Sequence, residues 1–259
     1  MTTGSRTLEF SDGFETGRLD PDRWLAAYLP QWSSMARSAP RYELASGRLV
    51  LEIGADQEPW CPEWDGDTRV SSIQTGVRSG PVGSPIGQHR FAEGVVVREA
   101  QPERRLYTPR YGRVDVRAAG TGVPNTMVAL WMMGFEERPE ESGEICVVEI
   151  FSRDIEPGRA AIGMGVHPHR DPRLVDDFER ITTELDATTV HDYAIEWTAD
   201  GITWEIDGRP VRASRQSPDY PMQLMLGLYS FGPVDSRSPT PRFVVERVRG
   251  YAPIGGRAA

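Results

Sequence analysis

The stretch YAIEWTADGITWEIDGRPVR, residues 193–212, decides the fold. Apolar and polar residues alternate through it at a period of two, the pattern of strands with one buried face. Two turn signals interrupt the alternation, Ala-Asp-Gly at 199–201 and Asp-Gly at 207–208. The segment therefore reads as strand, turn, strand, turn, strand: two consecutive hairpins that pair antiparallel. The same alternation recurs at residues 48–53, 112–118, 191–197 and 243–248, and clusters of Gly, Pro, Asp and Asn at 79–87, 119–125 and 207–210 separate such runs. Only residues 171–180 suggest a short helix, too short for a βαβ unit. With no internal repeat and no linker-like change of composition, the chain is expected to be all-β, a single sandwich of two antiparallel sheets. The tail after Tyr251 is expected to fray.

Composition agrees with one sizeable domain. Of 259 residues, 39% are hydrophobic, enough for a substantial core, and 26 Gly with 21 Pro supply many turns. A net charge of -9 speaks against a nucleic-acid partner, which would call for a basic footprint. Cys61 and Cys146 form neither a disulfide framework nor a metal-ligand spacing, and no bridge between them is expected. The opening MTTGSRTLEFSDGF lacks the apolar centre of a secretory signal, and no stretch approaches the roughly 20 apolar residues of a spanning helix. No membrane association is expected. The chain as it stands reads as cytoplasmic, or as secreted if a signal has been removed, and as a monomer.

The stretch most informative about chemistry is SGEICVVEIFS, residues 142–152, which carries Glu144 and Glu149. On a regular strand residues five apart face opposite sides. One β-bulge between them would restore a common face. Glycoside hydrolysis with retention needs two carboxyl groups about 5 to 5.5 Å apart, one to attack the anomeric carbon and one to protonate the leaving oxygen. Two glutamates bounding an apolar strand are also an ordinary feature, so the pair alone leaves both readings open.

Residues 144–149, EICVVE, resemble the E-x-D-x-x-E signature of glycoside hydrolase family 16, the group of laminarinases, lichenases and agarases. Further segments follow in that family's order: FSDGF at 10–14, YGRVDVRA at 111–118, VALWMM at 128–133, GMGVHP at 163–168, HDYAIEW at 191–197, GITWEIDG at 201–208, PMQLMLGL at 221–228 and FVVERVRGY at 243–251. The resemblance implies a β-jelly-roll sandwich of two curved antiparallel sheets, concanavalin A-like, with a sugar-binding cleft across the concave face. It makes Glu144 the nucleophile and Glu149 the general acid and base of an endo-acting retaining hydrolase. The expected substrate is a β-linked polysaccharide, with β-1,3-glucan or mixed-linkage β-glucan ahead of galactans.

Cys146 departs from the motif, standing where the family carries Asp. A neutral thiol supplies no charge to tune the pair, although it can fill the site and bond weakly to Glu144. Three outcomes follow from the departure: an enzyme that works with a thiol, a slowed one, or a protein that binds sugar without cutting it; a transglycosylase would use the same intermediate. The resemblance places Trp131 by the cleft floor, His167 near the catalytic pair with His169 as its rival, and Gln223 on a cleft-lining strand, while Gly227 replaces an Asn. In the loop EPWCPEWDGD, residues 58–67, Trp60 and Trp64 read either as a sugar-stacking wall or as pins that hold the loop to the sandwich. No cofactor is expected to be required. A structural calcium near the termini is conceivable, with Glu246 where an Asp often stands.

Overall fold

The computed structural model describes residues 6–254; the part of the expected frayed tail beyond them lies outside the described residues. The deciding segment forms the strands His191–Thr198, Gly201–Ile206 and Arg209–Ser214. Tyr193 lies opposite Ile206, and Ile202 opposite Ser214. Asp207 and Gly208 turn the second hairpin with φ of 48° and 73°, the left-handed pair that matches strand twist.

These three strands form one side of an eight-stranded sheet that continues through Gly112–Ala119, Arg242–Tyr251, Leu49–Glu52 and Arg41–Leu44. Leu8–Asp12 pairs with the C-terminal half of Arg242–Tyr251, Leu8 opposite Tyr251 and Asp12 opposite Val248. The second sheet runs Ile155–Glu156, Arg159–His167, Glu144–Phe151, Thr126–Gly134, Met222–Phe231, Thr68–Gln74, with Asp177–Thr183 also paired to Arg159–His167. The pairings within both sheets are antiparallel, and together the sheets make the jelly-roll sandwich that the resemblance implied.

Residues 171–180 contain no helix. Their second half enters the strand Asp177–Thr183, with Phe178 opposite Gly165 and Ile181 opposite Ile162. The open edge of Arg159–His167 offers unpaired N–H and C=O groups, and an adjacent extended segment satisfies them better than a few isolated helical residues can.

The period of two sorts each strand of the second sheet. Val128, Leu130, Met132, Leu224 and Leu226 face inward and meet Leu49, Leu51, Val116 and Ile195 of the first sheet. Their neighbours Met127, Ala129, Met133, Met225 and Tyr229 face outward and form a second apolar cluster with Tyr28, Leu29, Trp32, Trp60, Val95 and Val97 from the covering loops. Loops thus roof part of the outward face and leave part of it to solvent. Both cysteines are free and buried.

Candidate active site

The strand Glu144–Phe151 carries a bulge that brings Glu144 and Glu149 to one face. Across it, Cys146 opposes Gly165 and Glu149 opposes Gly163, so three steps on one strand match two on the other. On the opposite side Cys146 faces Trp131 while Val148 faces Leu130. Val147 is the extra residue. It and Val148 both pack into the inter-sheet core, with Ile145 and Ile150, which leaves Glu144, Cys146 and Glu149 on the outward face. The bulge depends on its partner strand: Gly165 has φ of 148°, and a Cβ there would strike the Asp177 carbonyl. At Gly163 a Cβ would meet the Phe178 ring at 2.5 Å and the Glu149 Cβ at 3.2 Å.

The two carboxyl groups sit in different environments. Glu144 is 5% exposed, and its Oε2 accepts a hydrogen bond from His169 Nε2 at 2.9 Å. Burial works to raise its pKa, but that hydrogen bond and the neighbouring histidine charge outweigh burial and hold the group below the usual carboxylate value. Glu149 is pushed up to about 7, first by burial and then by the negative charge of Glu144, against weaker pulls from His167, Arg180 and the Trp131 indole. Near neutral pH Glu144 is ionised while Glu149 still holds a proton half of the time. Cys146 stays a thiol, raised well above its ordinary value by burial and by the two glutamates. It donates to the Gly163 carbonyl at 3.6 Å rather than to Glu144, as the sequence reading had allowed.

Two histidines in left-handed backbone conformations stand at Glu144, His89 with φ of 48° and His169 with 46°, and Glu136, which holds the His89 backbone, is left-handed as well with 52°. Such a conformation costs a non-glycine residue about 1 to 3 kcal/mol and gathers at functional sites. The rings of His89 and His169 pack T-shaped, with centroids 4.9 Å apart. Burial, reinforced by the His169 charge, drives His89 down to about 4, so its ring is neutral at ordinary pH and the working influence on Glu144 is that of His169. Glu136 ties the two histidine loops together. Its Oε1 accepts from the His89 backbone N–H at 2.6 Å, and its Oε2 from Arg170 at 2.6 Å; the Arg170 backbone N–H in turn donates to Ser142 Oγ at 2.9 Å, just before the strand Glu144–Phe151. Burial raises Glu136 to about 7.

The ligand-type atoms of His89, Glu144 and His169 lie within 4.8 Å of one another. Within the group, His169 and Glu144 are directly hydrogen-bonded. The two carboxylate oxygens of Glu246 pair with guanidinium groups, Oε1 with Arg48 at 2.7 Å and Oε2 with Arg117 at 2.9 Å.

Of the residues singled out in the sequence, Trp131 joins the outward face beside the pair. It packs against Tyr229 with ring centroids 5.0 Å apart, and its indole N–H has no hydrogen-bond partner among the described residues. His167 faces Glu144 across the strands and stacks on Phe178 at 4.7 Å, but it bonds to Asp176 at 2.8 Å. His169 is the one that reaches Glu144. Gln223 is on the outward side of its strand but fully buried, beside Gly76 and Phe135; the covering loops remove it from any sugar contact. Trp60 is 1% exposed, packs edge-on with Tyr28 at 4.7 Å and donates to Asp65 at 2.6 Å. It is a pin of the loop, because a large ring gains more by joining the apolar cluster than by standing in water. Trp64, in the short helix Pro62–Asp65, is 40% exposed. The space left by Gly227 is filled by Tyr229, whose hydroxyl would lie 2.5 Å from a Cβ there, so the missing Asn does not widen the site.

His89 and Glu136 were not visible in the sequence. Nothing in their local pattern distinguishes them from loop residues; loop closure alone brings His89 to Glu144 and Glu136 to the His89 backbone.

Two surface hollows bracket the pair. One of about 310 Å³ is lined by Arg78, Ile86, Arg90, Glu136 and Arg170 on the Glu144 side. Another of about 290 Å³ is lined by Asn125, Thr126, Phe151, Arg153 and Phe231 on the Glu149 side.

Comparisons with known proteins agree with this geometry. The sequence profile described as "Glycosyl hydrolases family 16" matches residues 106–243, more than half of the chain. Among solved structures, a GlcNAcα1-4Gal-releasing endo-β-galactosidase from Clostridium perfringens is 26% identical with a TM-score of 0.83, over 100% of this chain and 65% of that one. This chain thus spans a little under two thirds of that protein. The catalytic domain of an endo-1,3-β-glucanase (laminarinase) from Thermotoga petrophila is 18% identical with a TM-score of 0.68, covering 97% and 99% of the two chains. A laminarinase from Rhodothermus marinus is 20% identical with a TM-score of 0.65, covering 96% and 98%. No curated protein sequence matches the chain.

Proposed function

Because this chain belongs to glycosyl hydrolases family 16, we propose that it is an endo-acting, retaining hydrolase that cuts an internal β-linkage of a glycan with Glu144 as nucleophile and Glu149 as acid and base. The observation that carries the reading is the split between the two carboxyl groups: Glu144 held low by His169, Glu149 raised to about 7 by burial and by Glu144. A pair pushed apart in this way divides the labour of acid and nucleophile. The ionised Glu144 attacks the anomeric carbon as Glu149 gives its proton to the leaving oxygen; Glu149, now a carboxylate, then takes a proton from the water that releases the sugar. A β-galactosidic linkage is the first substrate to test, since the endo-β-galactosidase is the most similar of the three structures in both identity and shape, and β-1,3-glucan the second. The test is incubation with poly-N-acetyllactosamine, β-1,4-galactan, laminarin and lichenan, with product sizes read by mass spectrometry and the anomeric configuration of the first product by NMR. Oligosaccharides released with inversion, or none from any of the four, would sink the proposal; products longer than the substrate would show transfer in place of hydrolysis.

The pH profile follows with its sign. Cleavage needs Glu149 protonated, so kcat/KM should hold steady below about pH 7 and fall by about tenfold per unit above it. An acid limb from Glu144 should lie below the ordinary carboxylate range.

His169, in place of the motif's Asp, is the group that tunes Glu144. His169→Ala should lower kcat by about 10²-fold and move the acid limb upward. Cys146→Ser should keep activity within about tenfold, because the thiol bonds to the Gly163 carbonyl and a hydroxyl can do the same. An equal loss in both variants, read by initial rates at several pH values, would return the tuning role to position 146.

A further inference from the structure

Beyond Glu149 the catalytic strand carries one more outward-facing residue, Phe151. Its ring stacks with that of Phe231 at 5.7 Å and an interplanar angle of 22°. Phe231 continues the outward row of its own strand two residues past Tyr229 and is 46% exposed, an uncommon position for so large an apolar ring. Arg153 lies over the Phe151 ring at 3.9 Å and makes no ion pair or side-chain hydrogen bond among the described residues. Arg180 also stands against Phe151, at 5.3 Å, is paired with Asp154 at 3.2 Å, and helps to set the charge of Glu149. Arg180 thus stands against Phe151 and acts electrostatically on Glu149, and two residues along a strand place Phe151 about 7 Å beyond Glu149.

We propose that Phe231, Phe151 and Arg153 form a carbohydrate subsite on the leaving-group side of the catalytic pair, which takes one neutral hexopyranose ring of the glycan. The apolar face of the ring lies on Phe231, and its hydroxyls meet the guanidinium of Arg153 and the side chain of Asn125, which line the same hollow of about 290 Å³. The chemistry is that of sugar recognition in general: an aromatic platform offers apolar area at small entropic cost, and a few polar groups at its rim fix orientation. That the glycan is cut between this subsite and the Glu144 side rests on the function proposed above; that a sugar binds here does not.

The experiment uses the full chain in the Glu144→Gln background, titrated calorimetrically with two probes, laminarihexaose and a poly-N-acetyllactosamine hexasaccharide. For whichever probe binds, Phe231→Ala should weaken binding by about 3- to 10-fold, Arg153→Ala by a smaller factor, and Phe231→Trp should restore or tighten it. Phe231 is exposed at a strand end, so the truncation leaves the core untouched, and an unchanged thermal midpoint verifies this. Unchanged affinity in a folded Phe231→Ala chain, or no binding of either probe, would overturn the subsite. Cleavage by the wild-type chain with affinity indifferent to Phe231 would leave the hydrolase standing without the subsite; Phe231-dependent binding without cleavage of any glycan would do the reverse.

Discussion

Glu144→Gln should abolish hydrolysis, with kcat falling on the order of 10⁴-fold or more, while the chain stays folded and still binds its glycan. The amide cannot attack the anomeric carbon, so the covalent step is lost outright. The site should tolerate the change: Gln is isosteric with Glu, and its carbonyl can still accept from His169 Nε2, now 2.9 Å from Glu144. Gln is preferable to Ala here because Glu144 is almost fully buried, and truncation would leave both a cavity and an orphaned histidine. Rates on the cleaved glycan and the thermal midpoint check the two halves of this expectation. A residual rate within a hundredfold of wild type would remove Glu144 from the nucleophile's role.

Glu149→Gln should lower kcat/KM by about 10²- to 10⁴-fold, and the loss should depend on the leaving group. A substrate whose leaving group departs readily needs less proton donation, so an aryl glycoside would lose less than a polysaccharide. The variant should also lose the alkaline limb near pH 7, since the group that titrates there is gone. Its second consequence is electrostatic. The charge of Glu149 helps to raise the Cys146 thiol, and a neutral Gln removes that part of the shift. Retention of the alkaline limb in Glu149→Gln would assign it to another group, and Glu136, raised to about 7 by burial, would be the first to examine.

Legibility in the sequence followed the range of the interactions. The hairpins of residues 193–212 were readable because alternation and the Asp-Gly turn act within a few residues. The bulge could be inferred from the five-residue spacing of Glu144 and Glu149, although its location at Val147 came only from the pairing on both sides. Residues 171–180 misled because their local pattern is weak and the neighbouring strand edge overrides it. Trp60 and Gln223 misled for a related reason: each lies where a cleft residue would lie along the chain, and burial is decided by loops that arrive from elsewhere.

The sequence by itself determined the all-β sandwich and the strand that carries the two glutamates, and it showed that they share a face only if a bulge lies between them. These rest on period, turn chemistry and spacing, which are properties of short segments. Only the tertiary structure decided which groups set the protonation of that pair. His89 and His169 come from separate loops and meet at Glu144 in left-handed conformations that no local pattern announces, with Glu136 holding the His89 backbone, and Cys146 turned out to bond to a backbone carbonyl across the sheet. A pKa is set by every charge, dipole and buried atom around a group, and those neighbours exist only once the chain has closed.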